Sequence, residues 1–296
     1  MRDSFSTFHP FVNFIYFAAV FVCSMVFMHP IFQAIALISA ALYSVMLKGR
    51  KAVKFNLLYM IPLLVIMAFM NPIFSHAGVT ILFYLQNGNP ITLESILYGI
   101  AAACMYVTVI VWFSCYNAVM TADKIIFIFG KIMPALSLIL SMVLRFVPRY
   151  LAQLKVISNA QKCIGRDATQ GNIVIRARNG MRILSIMTTW ALENAIETAD
   201  SMKSRGYGLP GRTSFSTFRF DSRDKVVCLV LIGLMLVVGA GAWMGHNTIR
   251  YFPSIHVKAI SPFSVVVYIA YTFLCLMPVI IQIVEEIKWR FMTSRI

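Results

Sequence analysis

Long apolar runs alternate with short polar breaks along most of the chain, and the charges collect in the breaks. The runs cover roughly 11–28, 31–47, 55–74, 94–118, 225–244 and 262–286. A helix crosses a bilayer in about 20 apolar residues, so the pattern predicts six membrane-spanning helices. His29-Pro30 separates the first two and suits a tight turn. As helices these two are short, about 27 Å or less.

Between the fourth and fifth runs the pattern changes. Residues 125–144, IIFIFGKIMPALSLILSMVL, are apolar enough to pass for a span, but Gly130-Lys131 and Pro134 interrupt them. They read as two cytoplasmic or interfacial helices meeting near Pro134. Residues 134–164 then form one long helix, about 46 Å at full length. Its polar positions thicken towards the C-terminus, and Pro148 would kink it. A second helix is expected over 179–205. Ile183, Met187, Trp190 and Ala191, then Ala195, Ala199 and Met202, recur there at helical spacing, with Glu193, Glu197, Asp200 and Lys203 between them. Both helices are too polar to span and too apolar to stand alone in water, so they must pack on each other, on the membrane or on a partner.

The fold class expected is therefore an all-α integral membrane protein, with about six transmembrane helices and long amphipathic cytoplasmic helices. Its parts are 1–118, an N-terminal group of spans; 119–224, the cytoplasmic helical region; and 225–296, the C-terminal spans. Composition agrees. The 296 residues are 59% hydrophobic and 12% charged, with a mean hydropathy of +0.78. Soluble domains carry about 25% charged residues, so soluble enzymes and disordered chains are set aside.

Charge sets the orientation. Lysine and arginine collect in 48–54, in 120–225, which holds 16 of the 26, and at the two ends. On the other side stand only Arg250 and Lys258, so 24 of the 26 share one face. Six spans with both termini cytoplasmic produce this split under the positive-inside rule. The net charge of +15 is accounted for by that need, and a nucleic-acid partner is not inferred. The start MRDSFSTFHP has a weak n-region and a second apolar run follows at once, so the first run is read as a retained helix.

Catalytic equipment is sparse. No Walker A pattern is present, and no HExxH. The six cysteines show no CxxC spacing, so neither a disulfide framework nor a metal site is inferred. The histidines His9, His29, His76, His246 and His256 are scattered and read as turn or interfacial residues. No Asp or Glu lies mid-span, whereas a proton-coupled carrier normally needs one. Residues 206–211, GYGLPG, match G-x-G-x-x-G, but a helix precedes them and Pro210 sits inside, where the dinucleotide motif needs a strand before and a helix within. They read as a helix C-cap and a loop. No cofactor is expected.

The sharpest local signal is Ala199-Asp200-Ser201-Met202-Lys203-Ser204-Arg205-Gly206-Tyr207-Gly208. Gly206 suits the C′ position, where φ is positive. Arg205 stands at the negative end of the helix dipole, and its planar fork suits a partner's carboxylate. A capped helix end with a solvated arginine is the plainer alternative.

Here the chain resembles the transmembrane T component of energy-coupling factor (ECF) transporters, the CbiQ-like family. That family ends two cytoplasmic coupling helices with Ala-Arg-Gly motifs, the second often A-M-x-A-R-G-Y. Ser201–Tyr207 match it with serine for alanine at two positions. The first motif follows an R-F-[IV]-P stretch and reads A-Q-x-x-R-G. Arg145-Phe146-Val147-Pro148 is present, followed by Ala160-Gln161-Lys162-Cys163-Ile164-Gly165. Ile164 stands where the family has arginine and Arg166 follows the glycine, so either one takes the arginine's place.

The resemblance is specific over about 145–208. It implies two cytoplasmic ABC ATPase subunits as partners, seated on the helix tips, and a membrane-embedded substrate-binding S component. It implies ATPase-coupling roles for Ser204, Arg205 and Gly206 and for Cys163, Ile164, Gly165 and Arg166. The function implied is mechanical coupling for uptake of a vitamin or a transition-metal ion across a prokaryotic plasma membrane, without catalysis by the chain itself. A conventional ABC importer permease with its own path is the alternative, but its E-A-A-x-x-x-G loop is not found. A membrane-bound lipid enzyme would need clustered Asp, His or Ser at a membrane face, and none is seen.

Overall fold

The computed structural model describes residues 3–84, 89–210, 218–245, 248–257 and 261–293. The chain is an all-α membrane protein, and it divides into two units, 1–125 with 218–296, and 126–217.

In the first unit α1 is Pro10–Val26 and α2 is Pro30–Lys48. Both begin on a His-Pro pair. Proline fits the first helical turn, where its missing N–H costs nothing. The preceding histidine caps the helix, His9 Nδ1 accepting from the Phe11 N–H at 3.3 Å and His29 Nδ1 from the Ile31 N–H at 3.3 Å. Gly49, at φ +58°, turns the chain into α3, Arg50–Phe55. The basic stretch read as a loop is thus helical, and it continues through a π-turn at Asn56–Met60 into α4, Ile61–Phe74. Strand β1, Ile81–Tyr84, pairs antiparallel with β2, Pro90–Thr92, ahead of α5, Leu93–Val119. α6, Ala122–Ile132, follows and carries the chain into the second unit.

Among the described residues, six helices are long and apolar enough to cross a membrane, but they are not quite the six expected. α1, at 17 residues, falls short of the length. The long helix that starts at Pro134 qualifies instead. It does so because its first eleven residues, 134–144, are uncharged, although Arg145, Arg149, Lys155 and Lys162 follow.

The core of this unit is aromatic. Phe5, Tyr16, Phe17, Tyr43 and Trp112 are all buried. Phe5 meets Tyr16 edge-on at 5.1 Å and Tyr43 at 6.4 Å, and Tyr16 meets Trp112 at 6.1 Å. Such pairs contribute about 0.5–1.5 kcal/mol each beyond their burial. The N-terminal segment is pinned over them. The Ser4 N–H donates to Gln282 Oε1 at 2.7 Å, and the His9 N–H to Asp224 Oδ1 at 2.9 Å. The Lys124 ammonium, almost wholly buried, donates to the carbonyls of Ser6 and Val119. Burial pulls that ammonium below the ordinary lysine value, and the Asp3 carboxylate partly opposes the shift.

α9, Ser222–Trp243, and α10, Pro262–Thr293, complete the unit, with a ribbon of β3, Ile249–Arg250, and β4, His256–Val257, between them.

The second unit is built on α7, Pro134–Cys163, and α8, Ile173–Ser204. α6 and α7 meet at Met133, beside Pro134, at the elbow expected, where Ser137 Oγ donates to the Ile126 carbonyl at 3.2 Å. α7 and α8 pack antiparallel. Tyr150 meets Trp190 edge-on at 5.4 Å, and Ile157 and Ile183 are buried. α8 starts six residues earlier than the hydrophobic spacing indicated. Asn172 Oδ1 accepts the Ile173 N–H at 2.7 Å and caps it there.

Candidate functional site

The two arginine-glycine regions end their helices in the same way. At the end of α7 the Arg166 N–H donates to the Gln161 carbonyl at 2.9 Å and the Gly165 N–H to the Lys162 carbonyl at 2.9 Å. At the end of α8 the Tyr207 N–H donates to the Met202 carbonyl at 3.0 Å and the Gly206 N–H to the Lys203 carbonyl at 2.9 Å. Both are Schellman motifs, which return two of the four orphan carbonyls of a helix end to hydrogen bonds. Each needs a residue at positive φ, and glycine supplies it: Gly165 at +74° and Gly206 at +79°.

The shared geometry settles the register of the tips. Ile164, at φ −97° and ψ 19°, and Arg205, at φ −86° and ψ 10°, occupy the same C-cap position. Arg166 corresponds to Tyr207, two places on. The structural counterpart of Arg205 is therefore Ile164, which is 59% exposed. Cys163, Ile164, Gly165 and Arg166 are all exposed, as are Ser204 and Arg205, while Gly206 is half-buried. Ser204 Oγ donates back to the Ser201 carbonyl at 2.9 Å, so this hydroxyl closes the helix end. The GYGLPG stretch forms the cap and a turn through Pro210, with Gly208 at φ +93°. Gly211 lies outside the described residues, as does His246.

The chain beyond the first tip folds back on itself. Asp167 accepts the Thr169 N–H at 2.9 Å and its hydroxyl at 2.8 Å, and Lys162 Nζ stands 3.9 Å away. These donors hold the Asp167 carboxyl below the usual carboxylate range. Asn179 Nδ2 donates to the Asp167 carbonyl at 3.1 Å, and Arg176 Nε to the Ala168 carbonyl at 3.3 Å. The first tip is thereby propped on the first two turns of α8.

The second tip adjoins a cavity that sequence reasoning did not anticipate. It measures about 500 Å³ and lies between α7 and α8. Arg145, Phe146 and Arg149 line it from α7, and Asn194, Glu197, Thr198 and Arg205 from α8. The R-F-V-P stretch and the second arginine-glycine motif, some 60 residues apart in the chain, are brought together here. Arg149 also lies over the Trp190 ring, 5.6 Å from its centre, a cation–π arrangement. Among the described residues, none of the three arginines forms an ion pair. Nor do three or more His, Cys, Asp or Glu side chains gather as a metal-ligand set among the described residues.

Residues 5–215 match the model of a family described as CbiQ, cobalt transport protein. The chain belongs to the CbiQ family. The resemblance carried by Arg145–Gly208 thus points to the right family. Its relatives include proteins named energy-coupling factor transporter transmembrane protein EcfT. The Lactococcus lactis protein is 34% identical over 106 residues, 35% of this chain and 40% of the relative. The Brevibacillus brevis protein is 35% identical over 105 residues, 35% and 40% of the two chains. The Lacticaseibacillus paracasei protein is 37% identical over 109 residues, 36% and 41%. The matched stretch of this CbiQ-family chain spans about two fifths of the length of these relatives.

Proposed function

We propose that the chain is the transmembrane coupling subunit of an ECF-type importer in a prokaryotic cell membrane. In this reading two cytoplasmic ABC ATPases seat on the tips of α7 and α8, and their ATP-driven motion passes to a membrane-embedded S component for uptake of a vitamin or transition-metal ion. Residues 119–224 are the coupling region. The observation that carries the reading is the matched pair of helix ends, each closed by a Schellman glycine and each with an exposed C-cap residue.

Such an end is rigid where it must transmit force. The capping bonds hold the last turn, and the Tyr150–Trp190 contact ties one helix to the other. The charge at the second tip is favoured by the dipole of α8. ATP hydrolysis is assigned to the partner subunits, in keeping with the absence of a phosphate-binding loop from the sequence.

The tips are unequal in chemistry. Ile164 fills an apolar groove on an ATPase and pairs with no carboxylate. Ile164→Ala therefore removes apolar burial alone, about 1–3 kcal/mol. In copurification of the ATPase subunits this variant should lose less than a change at Arg205; a larger loss would make the first tip the main anchor.

Charge asymmetry supports a reading in which both termini and 119–224 stand on the cytoplasmic side of the membrane. A single cysteine at Gln170, in an otherwise cysteine-free chain, should be labelled in inverted vesicles and protected from impermeant reagent in whole cells. Labelling from outside would overturn both the topology and the coupling function.

A further inference from the structure

We propose that the cavity between α7 and α8 binds the phosphate of an anionic phospholipid headgroup, held by the guanidinium groups of Arg145 and Arg149. This goes beyond the docking of ATPases at the tips and does not depend on it.

The first argument is what precedes the arginines. From Ile132 to Leu144 no residue is charged. Ile132, Met133, Leu136, Ile139, Val143 and Leu144 all stand exposed within their unit. A helix that is apolar all round belongs in a protein core or in lipid, and none of the described residues of this unit covers these side chains. Arg145 is the first charge after the run, and Arg149 follows one turn later. Cations at the end of an apolar helical stretch lie at headgroup depth, with their aliphatic stems along the apolar surface.

The second argument is the company the arginines keep. Phe146 lines the cavity and stacks on Tyr150 at 5.7 Å, and Arg149 lies over the Trp190 ring, which Tyr150 meets edge-on. Aromatic rings with one polar edge collect at the membrane–water interface.

The third is charge and size. Arg145, Arg149 and Arg205 meet a single carboxylate, Glu197, at the cavity wall. The cavity is left positive, and its arginines are without ion pairs among the described residues. A guanidinium fork binds phosphate with two parallel N–H donors. At about 500 Å³, with Met142 and Phe146 as apolar wall, the space exceeds what one carboxylate side chain needs and suits a phosphate with its glycerol. A lipid headgroup, rather than an acidic residue of a partner, is the occupant these features favour.

The test uses the purified full-length chain and native mass spectrometry, with phosphatidylglycerol and phosphatidylcholine of the same acyl chains added in turn. The wild type should retain one phosphatidylglycerol under conditions that strip phosphatidylcholine. The double variant Arg145→Gln/Arg149→Gln should lower that retention at least about tenfold, equivalent to about 1.4 kcal/mol. Both side chains are exposed, so the fold should survive, and unchanged elution and thermal unfolding will show it. Arg145→Gln alone gives a second reading of the same loss. Equal retention by variant and wild type overturns the proposal. Displacement of the lipid by inorganic phosphate alone also overturns it, by pointing to a soluble anion site. Unchanged lipid retention with lost ATPase copurification would assign the arginines to a partner's carboxylate instead. Loss of lipid with intact ATPase copurification supports the proposal and leaves the coupling function standing.

Discussion

On the proposed coupling role, Arg205→Ala is expected to loosen the ATPase subunits on copurification or to uncouple substrate uptake by a large factor. The backbone at this position confines the effect to the guanidinium. Arg205 sits at the C-cap with φ −86° and ψ 10°, a conformation alanine adopts freely. The bonds that close the tip run from the Gly206 and Tyr207 N–H groups to the Lys203 and Met202 carbonyls, and none uses the arginine side chain. The variant helix therefore ends as the wild type does. On the coupling proposal, what goes is one member of an interfacial charge pair. Truncating one partner of such a pair costs about 2–5 kcal/mol, much of it from the partner charge left unpaired. At the lower bound that is roughly a 30-fold loss of affinity. Arg205→Lys should recover only part of it, because an ammonium lacks the two-pronged geometry. The measurement is subunit copurification together with uptake for the wild type and both variants. If Arg205→Ala binds ATPases and supports uptake like the wild type, the arginine is a solvated cap and the site assignment fails.

The same helix end shows what sequence alone can and cannot convey. Gly206 was legible as a cap, because glycine after an amphipathic helix has one principal use, whereas Gly165 was legible only through the family motif. The motif already set Ile164 at the position of the first arginine, and the hydrogen-bond register agrees; which side chain, Ile164 or Arg166, takes over the arginine's role was not legible. The start of α8 was missed for a related reason. The apolar spacing begins only near Ile183, yet Asn172 caps the helix well ahead of it and Arg176 bonds back to Ala168.

Lys124 counted among the cytoplasmic charges, but its ammonium is enclosed by the carbonyls of Ser6 and Val119. A charge total cannot tell a solvated lysine from one tied to a distant segment. The arginine cavity was invisible for the same reason, since Arg145 and Arg205 are joined only by the antiparallel packing of α7 on α8. The apolar runs are the opposite case. Their signal is local and long, and each became a helix. The ribbons β1–β2 and β3–β4 went unseen because two to four residues carry no detectable period.

A structural prediction of comparable size concerns Gly99 in α5. A Cβ placed there would stand 2.7 Å from the Ala68 carbonyl oxygen and 3.1 Å from the Asn71 Cβ, both in α4. The first of these is backbone and has no rotamer to escape to, so α4 and α5 must separate. The approach supports polar contacts that the separation would break. Ser95 Oγ lies 2.6 Å from the Ser75 carbonyl and 3.2 Å from Asn71 Oδ1. Overpacking of this kind costs about 1–3 kcal/mol, and losing the Ser95 contacts adds about 1 kcal/mol each. Gly99→Ala should therefore lower the thermal stability of the purified chain, and Gly99→Leu should prevent its accumulation in the membrane. Gly180 in α8 provides the matched control. It is helical, with nothing within 4 Å of its would-be Cβ, so Gly180→Ala should stabilise by about 0.5–1 kcal/mol through helix propensity. Opposite signs in thermal unfolding separate close helix approach from a general response to added methyl groups. If Gly99→Ala unfolds no earlier than the wild type, α4 and α5 are not packed on this glycine.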